Sequence, residues 1–252
     1  MERYFNLNTI ESVALRMDLA IKLQEIQKRI AQAARAAGRS EKEITLLAAT
    51  KTQDAATVRE AIACGVKTVG ENRVQELTEK LAQNAYEGAE LHFIGHLQTN
   101  KVRQVAGKVA LIHSVDSLKL AQEISRAMQR LTEEKGTPCI QDVLIEVNIG
   151  GELSKGGVEP EGLEALLNDA AQLPTIRITG LMCIPPRTES PDEARRYFAR
   201  MKALFDRTAP YLSGETPHVL SMGMSGDYAE AILEGATLVR VGTALFGPRL
   251  YL

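Results

Sequence analysis

The sequence has 252 residues, of which 44% are hydrophobic and 25% are charged, as expected for one globular domain with a large core. The 30 Lys and Arg residues nearly balance the 32 Asp and Glu residues, so the charge indicates neither a nucleic-acid partner nor a membrane surface. Cys64, Cys139 and Cys183 form no C-x-x-C pair and no cluster with histidine, which argues against a disulfide framework and a zinc site.

The N-terminal segment is polar and lacks the apolar run of a signal peptide, and no later stretch reaches membrane-spanning length. We therefore expect a cytoplasmic protein with a frayed extension over residues 1–18 and one folded domain over residues 19–252. Apolar residues recur at helical spacing from Ile21 to Ala37, and Gly38 supplies a stop signal. A helix is predicted to precede the first strand.

Short apolar strands then alternate with stretches of helical pattern. The predicted strands are 44–50, 66–70, 91–95, 110–115, 143–147, 176–183, 218–222 and 238–241. The predicted helices between them are 55–64, 73–84, 101–106, 118–134, 160–173, 191–209 and 228–234. Eight such units predict an α/β fold of the (β/α)8 TIM-barrel type in a single domain. An open doubly wound sheet is the alternative, but no G-x-G-x-x-G follows the first strand. Only residues 242–252 follow the eighth predicted strand, so we expect no second domain.

Lys51 directly follows the first predicted strand, at the barrel end where functional groups lie. A lysine that loses its water there has a lowered pKa, and its neutral amine can form a Schiff base with a carbonyl. An ordinary solvated lysine is the alternative reading of this position.

The loops after strands seven and eight are the usual phosphate sites of such barrels. The first reads SMGMSGD (221–227) and the second RVGTA (240–244). Their glycines allow backbone amides to approach an anion, and Ser225 precedes a predicted helix start. Turn and capping chemistry explains each loop alone, whereas the two together favour a phosphate cradle.

Other polar residues also end strands, and several have structural alternatives. Asn72 is placed to face a ligand, whereas Glu71 is a candidate helix cap and His96 a structural histidine; His92 and His113 are assigned structural roles inside strands. The remaining candidates are Ser114, Asp116 and Asn148. A lysine beside a phosphate cradle permits either a Schiff-base aldolase acting on a phosphosugar or a pyridoxal 5′-phosphate (PLP) site.

Five stretches, in order, resemble the pyridoxal phosphate homeostasis protein family. They are ATKT (49–52), GENRVQE (70–76), HFIGHLQTNK (92–101), SMGMS (221–225) and VRVGTALFG (239–247). Gly180, Leu181 and Met182 fit the same pattern, and the match covers nearly the whole chain from about Leu19.

The resemblance implies a barrel like the N-terminal domain of alanine racemase, which binds PLP and buffers or delivers vitamin B6 without a dedicated catalytic activity. Lys51 would hold PLP as an internal aldimine and Arg240 would approach its pyridine nitrogen. The phosphate would lie on Ser225, Gly226, Gly242 and Thr243, and Asn72 and Met222 would line the pocket.

Catalytic power is expected to be weak because a guanidinium can only donate, which keeps the pyridine nitrogen unprotonated. The racemases use a second acid/base residue from the domain that this chain is expected to lack. A small amino-acid racemase is nevertheless the alternative function. The expected partners are PLP and apo forms of PLP-dependent enzymes, with no nucleic acid and no membrane, and a monomer is expected.

Overall fold

Eight parallel strands close into one barrel in the computed structural model, which describes residues 7–152, 155–188, 190–213 and 218–248. Each strand pairs with its neighbours in the sequence, and β8 closes the barrel on β1. The strands are β1 (Thr45–Ala49), β2 (Thr68–Glu71), β3 (Glu90–Phe93), β4 (Leu111–Val115), β5 (Gln141–Val147), β6 (Ile176–Cys183), β7 (Val219–Met224) and β8 (Leu238–Val241). The predicted barrel is confirmed, and the open sheet is excluded.

Helices follow the strands and form the outer layer. They are α1 (Leu7–Ala36), α2 (Ala55–Ala63), α3 (Val74–Leu81), α4 (Leu118–Lys135), α5 (Leu163–Ala170), α6 (Pro191–Thr208), α7 (Tyr228–Leu233) and α8 (Thr243–Phe246). The predicted helix over 101–106 is instead a 3₁₀-helix, Thr99–Gln104. This segment ends at Gln104, and Gly107, three residues later, has φ +75°, which an α-helix cannot continue through. None of the helices in the described part is long and apolar enough to cross a membrane.

The first helix is longer than predicted because nothing in the sequence interrupts it. It begins at Leu7 and contains neither glycine nor proline, so the prediction of a frayed segment is wrong for residues 7–18. Its buried stripe, from Leu19 to Ala34, packs against α2, α7 and α8. This packing covers the barrel wall where α8 is only 4 residues long. Residues 1–6 of the predicted extension lie outside the described residues. The same is true of residues 249–252 of the predicted domain.

Strand side chains alternate between two cores. The larger core lies between the strands and the helices and contains residues such as Phe93, Phe198 and Met222. The barrel interior holds two smaller apolar groups, which are Leu47, Ala49, Ile94 and Leu238 in one and Leu111, Leu144 and Met182 in the other. The interior also carries polar side chains, and these lead to the site.

Candidate functional site

A cavity of about 440 Å³ opens at the carboxyl ends of the strands, within the size range of small-molecule sites. Residues from β1, β7 and β8 and from the loops after β1, β2, β3, β6, β7 and β8 line it. They include every residue that the sequence assigned to the PLP site except Met222. The lining residues are Ala49, Lys51, Asn72, Ile94, Ile184, Arg187, Thr188, Met224, Ser225, Gly226, Asp227, Arg240, Gly242 and Thr243.

Lys51 lies in a tight turn between β1 and α2 that is held at both sides. Thr52 has the unusual φ of +65°, and its amide donates to the Glu76 carboxylate at 2.7 Å. Asp54 then caps α2 by accepting from the Thr57 amide at 2.7 Å, and this bond lowers the pKa of the Asp54 carboxyl. A non-glycine residue at positive φ persists only where its surroundings hold it, so the turn has a defined shape.

A buried ionic cluster supports the same turn from beneath. The Glu71 carboxylate, fully buried, accepts from Thr50 Oγ1 at 2.6 Å, Lys80 Nζ at 2.7 Å and Tyr86 Oη at 3.1 Å. Lys80 also donates to the Thr50 carbonyl at 2.8 Å. Burial, with the Glu71 charge, raises the pKa of Tyr86, so its hydroxyl stays a donor. Glu71 is therefore the centre of this cluster; the proposed capping role is wrong, since α3 has no side-chain cap.

The loops after β7 and β8 meet at Ser225. Its hydroxyl oxygen accepts from the Gly242 amide at 3.1 Å and from the Ala244 amide at 3.3 Å. Gly226 has open space around its Cα, since a side chain there would meet nothing within 4 Å. Two amides that converge on one oxygen beside an open glycine can bind an anionic oxygen in the same way. The predicted cradle residues are thus brought together.

Arg240 extends from β8 into the barrel interior and is only 4% exposed. Its Nη1 donates to the Ser221 carbonyl at 2.9 Å and to Ser221 Oγ at 2.6 Å, and its Nη2 donates to the Cys183 carbonyl at 2.9 Å. These are neutral acceptors, and no ion pair of Arg240 occurs within the described ranges. Burial lowers the pKa of Arg240, and the nearby Cys183, Glu146 and Asp227 side chains oppose this shift. Because an arginine is not deprotonated in proteins, a positive charge lies at the cavity wall.

Asn72 lines the cavity with a buried side-chain oxygen, Oδ1, that has no hydrogen-bond partner. A buried amide oxygen without a partner is costly, so a donor on a bound molecule would stabilise it. Gly95 makes this position possible, because a Cβ at residue 95 would collide with the Asn72 backbone. Asn72 is therefore placed as the sequence predicted.

Met222 lies on the other side of the barrel wall. It is fully buried in the core between strands and helices, whereas Met224 lines the cavity. The register of β7 shifts between Ser221 and Met224, with Gly223 at φ +89°, and such a bulge changes which residues face inward. The prediction for Met222 is corrected to Met224.

The other candidates at strand ends do not line the cavity. Asn148 donates within its own loop, to the Glu152 carbonyl and the Glu159 carboxylate, and His96 is exposed, 3.9 Å from Asp116. Ser114 is buried without a partner. Sequence reasoning instead missed Ile184, Arg187 and Thr188. The one sequence feature that could have indicated them is their position after β6, since all loops that follow barrel strands meet at the same mouth.

Glu146 is a further buried carboxyl, near the end of β5. It follows the interior residue Leu144 by two positions, and Gly156 from the next loop covers it. Burial raises the pKa of Glu146 to about 7; the Asp116 charge raises it further and the Arg240 charge opposes the shift. This carboxyl gains or loses a proton near neutral pH.

The fold and this site define a (β/α)8 protein of the class represented by the N-terminal domain of alanine racemase, and the model of that family matches residues 21–249. A pyridoxal phosphate homeostasis protein from Aquifex aeolicus is 46% identical over 235 residues, covering 93% of this chain and 100% of that protein. A protein of the same name from Pseudomonas aeruginosa is 44% identical over 235 residues, covering 92% and 96%. The chain belongs to the pyridoxal phosphate homeostasis protein family.

One solved structure of a relative contains the cofactor. PipY of Synechococcus elongatus, with PLP bound, is 33% identical and superposes with a TM-score of 0.75, covering 91% of this chain and 100% of that chain. The resemblance inferred from the five sequence stretches is thereby confirmed.

Proposed function

We propose that this protein binds PLP reversibly in the cavity at the barrel mouth and takes part in the homeostasis of this cofactor. One observation carries the proposal: a lysine, a pair of converging amides and a buried arginine surround the same cavity. The names of the relatives and the PLP bound to PipY support it.

The residues present fit the cofactor. PLP supplies an aldehyde that reacts reversibly with a primary amine and a pyridine ring that acts as an electron sink when protonated. Lys51 offers the amine, and the amides of Gly242 and Ala244, with Ser225, Gly226 and Thr243, suit the phosphate. The unpartnered Asn72 oxygen belongs to a residue that lines the same cavity.

Arg240 supports a binding role over a catalytic one. The guanidinium can only donate, so it stabilises an unprotonated pyridine nitrogen and keeps the electron sink weak. The groups that bind Arg240 itself, the Ser221 and Cys183 carbonyls, carry no proton. They therefore cannot protonate the pyridine nitrogen as a carboxylic acid could. We therefore propose that the protein stores or delivers PLP and has no dedicated catalytic activity.

Replacing Lys51 tests the attachment point. The wild-type protein should show the yellow absorption of bound PLP after dialysis, and borohydride reduction followed by mass spectrometry should place a pyridoxyl group on Lys51. Lys51→Ala should lose the absorption. Lys67→Ala, which alters an exposed lysine preceding β2 at the opposite end of the barrel, should keep it. Absorption that survives in Lys51→Ala would show the assignment to be wrong, and a trapped sugar would indicate an aldolase.

Delivery is tested with an apo PLP-dependent enzyme, which we propose as the partner class. Loaded protein separated from free PLP should restore activity to the apo-enzyme, and Lys51→Ala carried through the same loading should not. A small racemase is the second candidate, favoured by the shared alanine racemase fold. Conversion of L-alanine to its enantiomer at an enzymatic rate would decide for the racemase.

We also propose a monomer in the cytoplasm. The three cysteines are unpaired, which suits a reducing compartment. The mass in solution, measured with and without PLP, tests the oligomeric state.

A further inference from the structure

A row of hydrogen-bonded polar side chains crosses the barrel interior, from the amino end of β3 to the cavity. We call it the interior chain, and its members are Glu90, His92, His113, Ser221 and Arg240. Barrel interiors are normally filled by branched apolar side chains, and apolar groups flank this row. Polar groups in such a place are stable only when each is paired.

Each link of the interior chain has hydrogen-bond geometry. Glu90 Oε1 lies 2.6 Å from His92 Nε2, and His92 Nδ1 lies 2.9 Å from His113 Nε2. His113 Nδ1 lies 3.1 Å from Ser221 Oγ, which accepts from Arg240 Nη1 at 2.6 Å. Glu90 is 61% exposed and His92 is 3% exposed, so the row begins in solvent and ends at the cavity.

The positions of the protons follow from the two ends. The bond from His92 lowers the pKa of Glu90, so Glu90 is a carboxylate and His92 Nε2 carries a proton. At the other end the Ser221 oxygen already accepts from Arg240, and its own hydrogen finds an acceptor in His113 Nδ1. Burial, with the neighbouring His92 ring and the Arg240 charge, lowers the pKa of His113. His113 is therefore neutral, and because its Nδ1 accepts from Ser221, its proton lies on Nε2. His113 then donates to His92 Nδ1, so every donor points towards Glu90.

We propose that Glu90, His92, His113 and Ser221 are positioning residues for Arg240. Because Glu90 can only accept, it sets the direction of every hydrogen bond in the chain. This direction turns the Ser221 hydroxyl hydrogen towards His113 and away from the guanidinium. A Ser221 lone pair is then left to accept from Arg240 Nη1 and fix its position. With the two carbonyl bonds, the guanidinium has one orientation at the cavity wall. The proposal rests on the proposed function in one respect, namely that the molecule which Arg240 meets there is PLP.

Nitrogen NMR of the histidine rings tests the chain in the full-length protein without added PLP. In the wild type, both His92 and His113 should be Nε2–H tautomers. Glu90→Ala removes the fixed acceptor and lets water donate or accept, so Nδ1–H signals should appear for both rings together. Glu90→Gln retains an acceptor oxygen and should restore the wild-type tautomers. Glu87→Ala, an equal charge change at an exposed neighbour, should have no effect.

Two results of this measurement would overturn the proposal. One is an Nδ1–H tautomer of either histidine in the wild type. The other is a Glu90→Ala spectrum in which the tautomers are unchanged or in which only one ring responds.

A second measurement examines Arg240 through bound PLP. Ser221→Ala keeps the carbonyl bond to Arg240 but removes the hydroxyl, so the absorption band of bound PLP should shift and the affinity should fall about tenfold. Ser114→Ala removes a buried hydroxyl with no partner and should change neither. An unchanged band and affinity in Ser221→Ala would contradict the positioning role. If the wild type itself fails to bind PLP, the proposed function fails, while the tautomer measurement still decides on the chain.

Discussion

The buried ion pair beneath Lys51 gives the most direct test of how the site is held. Lys80 and Glu71 are 7% and 0% exposed, with 2.7 Å between Nζ and Oε1. Lys80→Met removes the cation with little loss of volume but leaves the Glu71 charge buried with only the Thr50 and Tyr86 hydroxyls as donors. Loss of one partner of such a pair costs about 3–5 kcal/mol of unfolding free energy.

The expected size of the effect separates it from ordinary surface changes. At roughly 2–4 °C per kcal/mol for a chain of this length, the melting temperature should fall by about 6–20 °C. Lys22→Met is the matched control, because Lys22 also pairs with a carboxylate, Asp18, at 2.6 Å, but the two are 32% and 55% exposed. This exposed pair on one helix should contribute only about 0.3–0.5 kcal/mol.

Urea unfolding of the single and double variants provides the assay. Glu71→Gln keeps an oxygen for Thr50 and Tyr86, so the double variant Lys80→Met/Glu71→Gln should recover about 1–2 kcal/mol relative to Lys80→Met. PLP affinity should fall in Lys80→Met as well, because Lys80 also holds the Thr50 carbonyl next to Lys51. A loss below about 1 kcal/mol, or strictly additive effects, would refute the argument that the two charges act as a buried pair.

Two further predictions concern stability. The pKa of Glu146 is raised from 4.5 to about 7 in the folded protein, so the folded state loses stability as the pH rises from 4.5 to 7. Glu146→Gln removes this ionisation. Without PLP, this variant should be more stable than wild type by on the order of 3 kcal/mol near pH 8, with no gain near pH 4. Equal gains at both pH values in urea titrations would contradict this. Gly95→Ala should lose more than about 2 kcal/mol, since its Cβ would collide with the Asn72 backbone, whereas Gly226→Ala, with nothing within 4 Å, should be nearly neutral in thermal melts.

The sequence was sufficient to predict the barrel because each unit carries a local signal. The strands are short apolar runs, and helix ends are marked by residues such as Asp54, which caps α2, and Gly136, which ends α4 at φ +67°. Positions at strand ends then predicted Lys51, Ser225 and Arg240 at one mouth, and the structure places them there. These inferences need only the order of elements and their periodicity.

The errors arose where long-range contacts decide. Met222 faces the outer core because it adjoins the interior residue Ser221, whereas the bulge at Gly223 turns Met224 into the cavity. Regular alternation along a strand cannot reveal such a bulge. The position of Glu71 before α3 suggests a cap, but its partners are Lys80 from that helix and Tyr86 from the loop after it, and the sequence pattern does not reveal these contacts. His92 and His113 do have structural roles, but their partners Ser221 and Arg240 lie on strands far away in the sequence.

Lys51 and Arg240, which both line the cavity, are held from opposite sides by protein atoms. Glu71, Glu76 and Lys80 fix the turn of Lys51 from the outer layer, and the interior chain fixes Arg240 from within the barrel. These partners belong to the protein, so Lys80 beneath the turn and Arg240 at the cavity wall keep their hydrogen bonds when PLP leaves. A buried charge without hydrogen bonds would cost several kcal/mol. A site organised in this way lowers the free-energy cost of exchange, which is what a protein that buffers or delivers its cofactor requires.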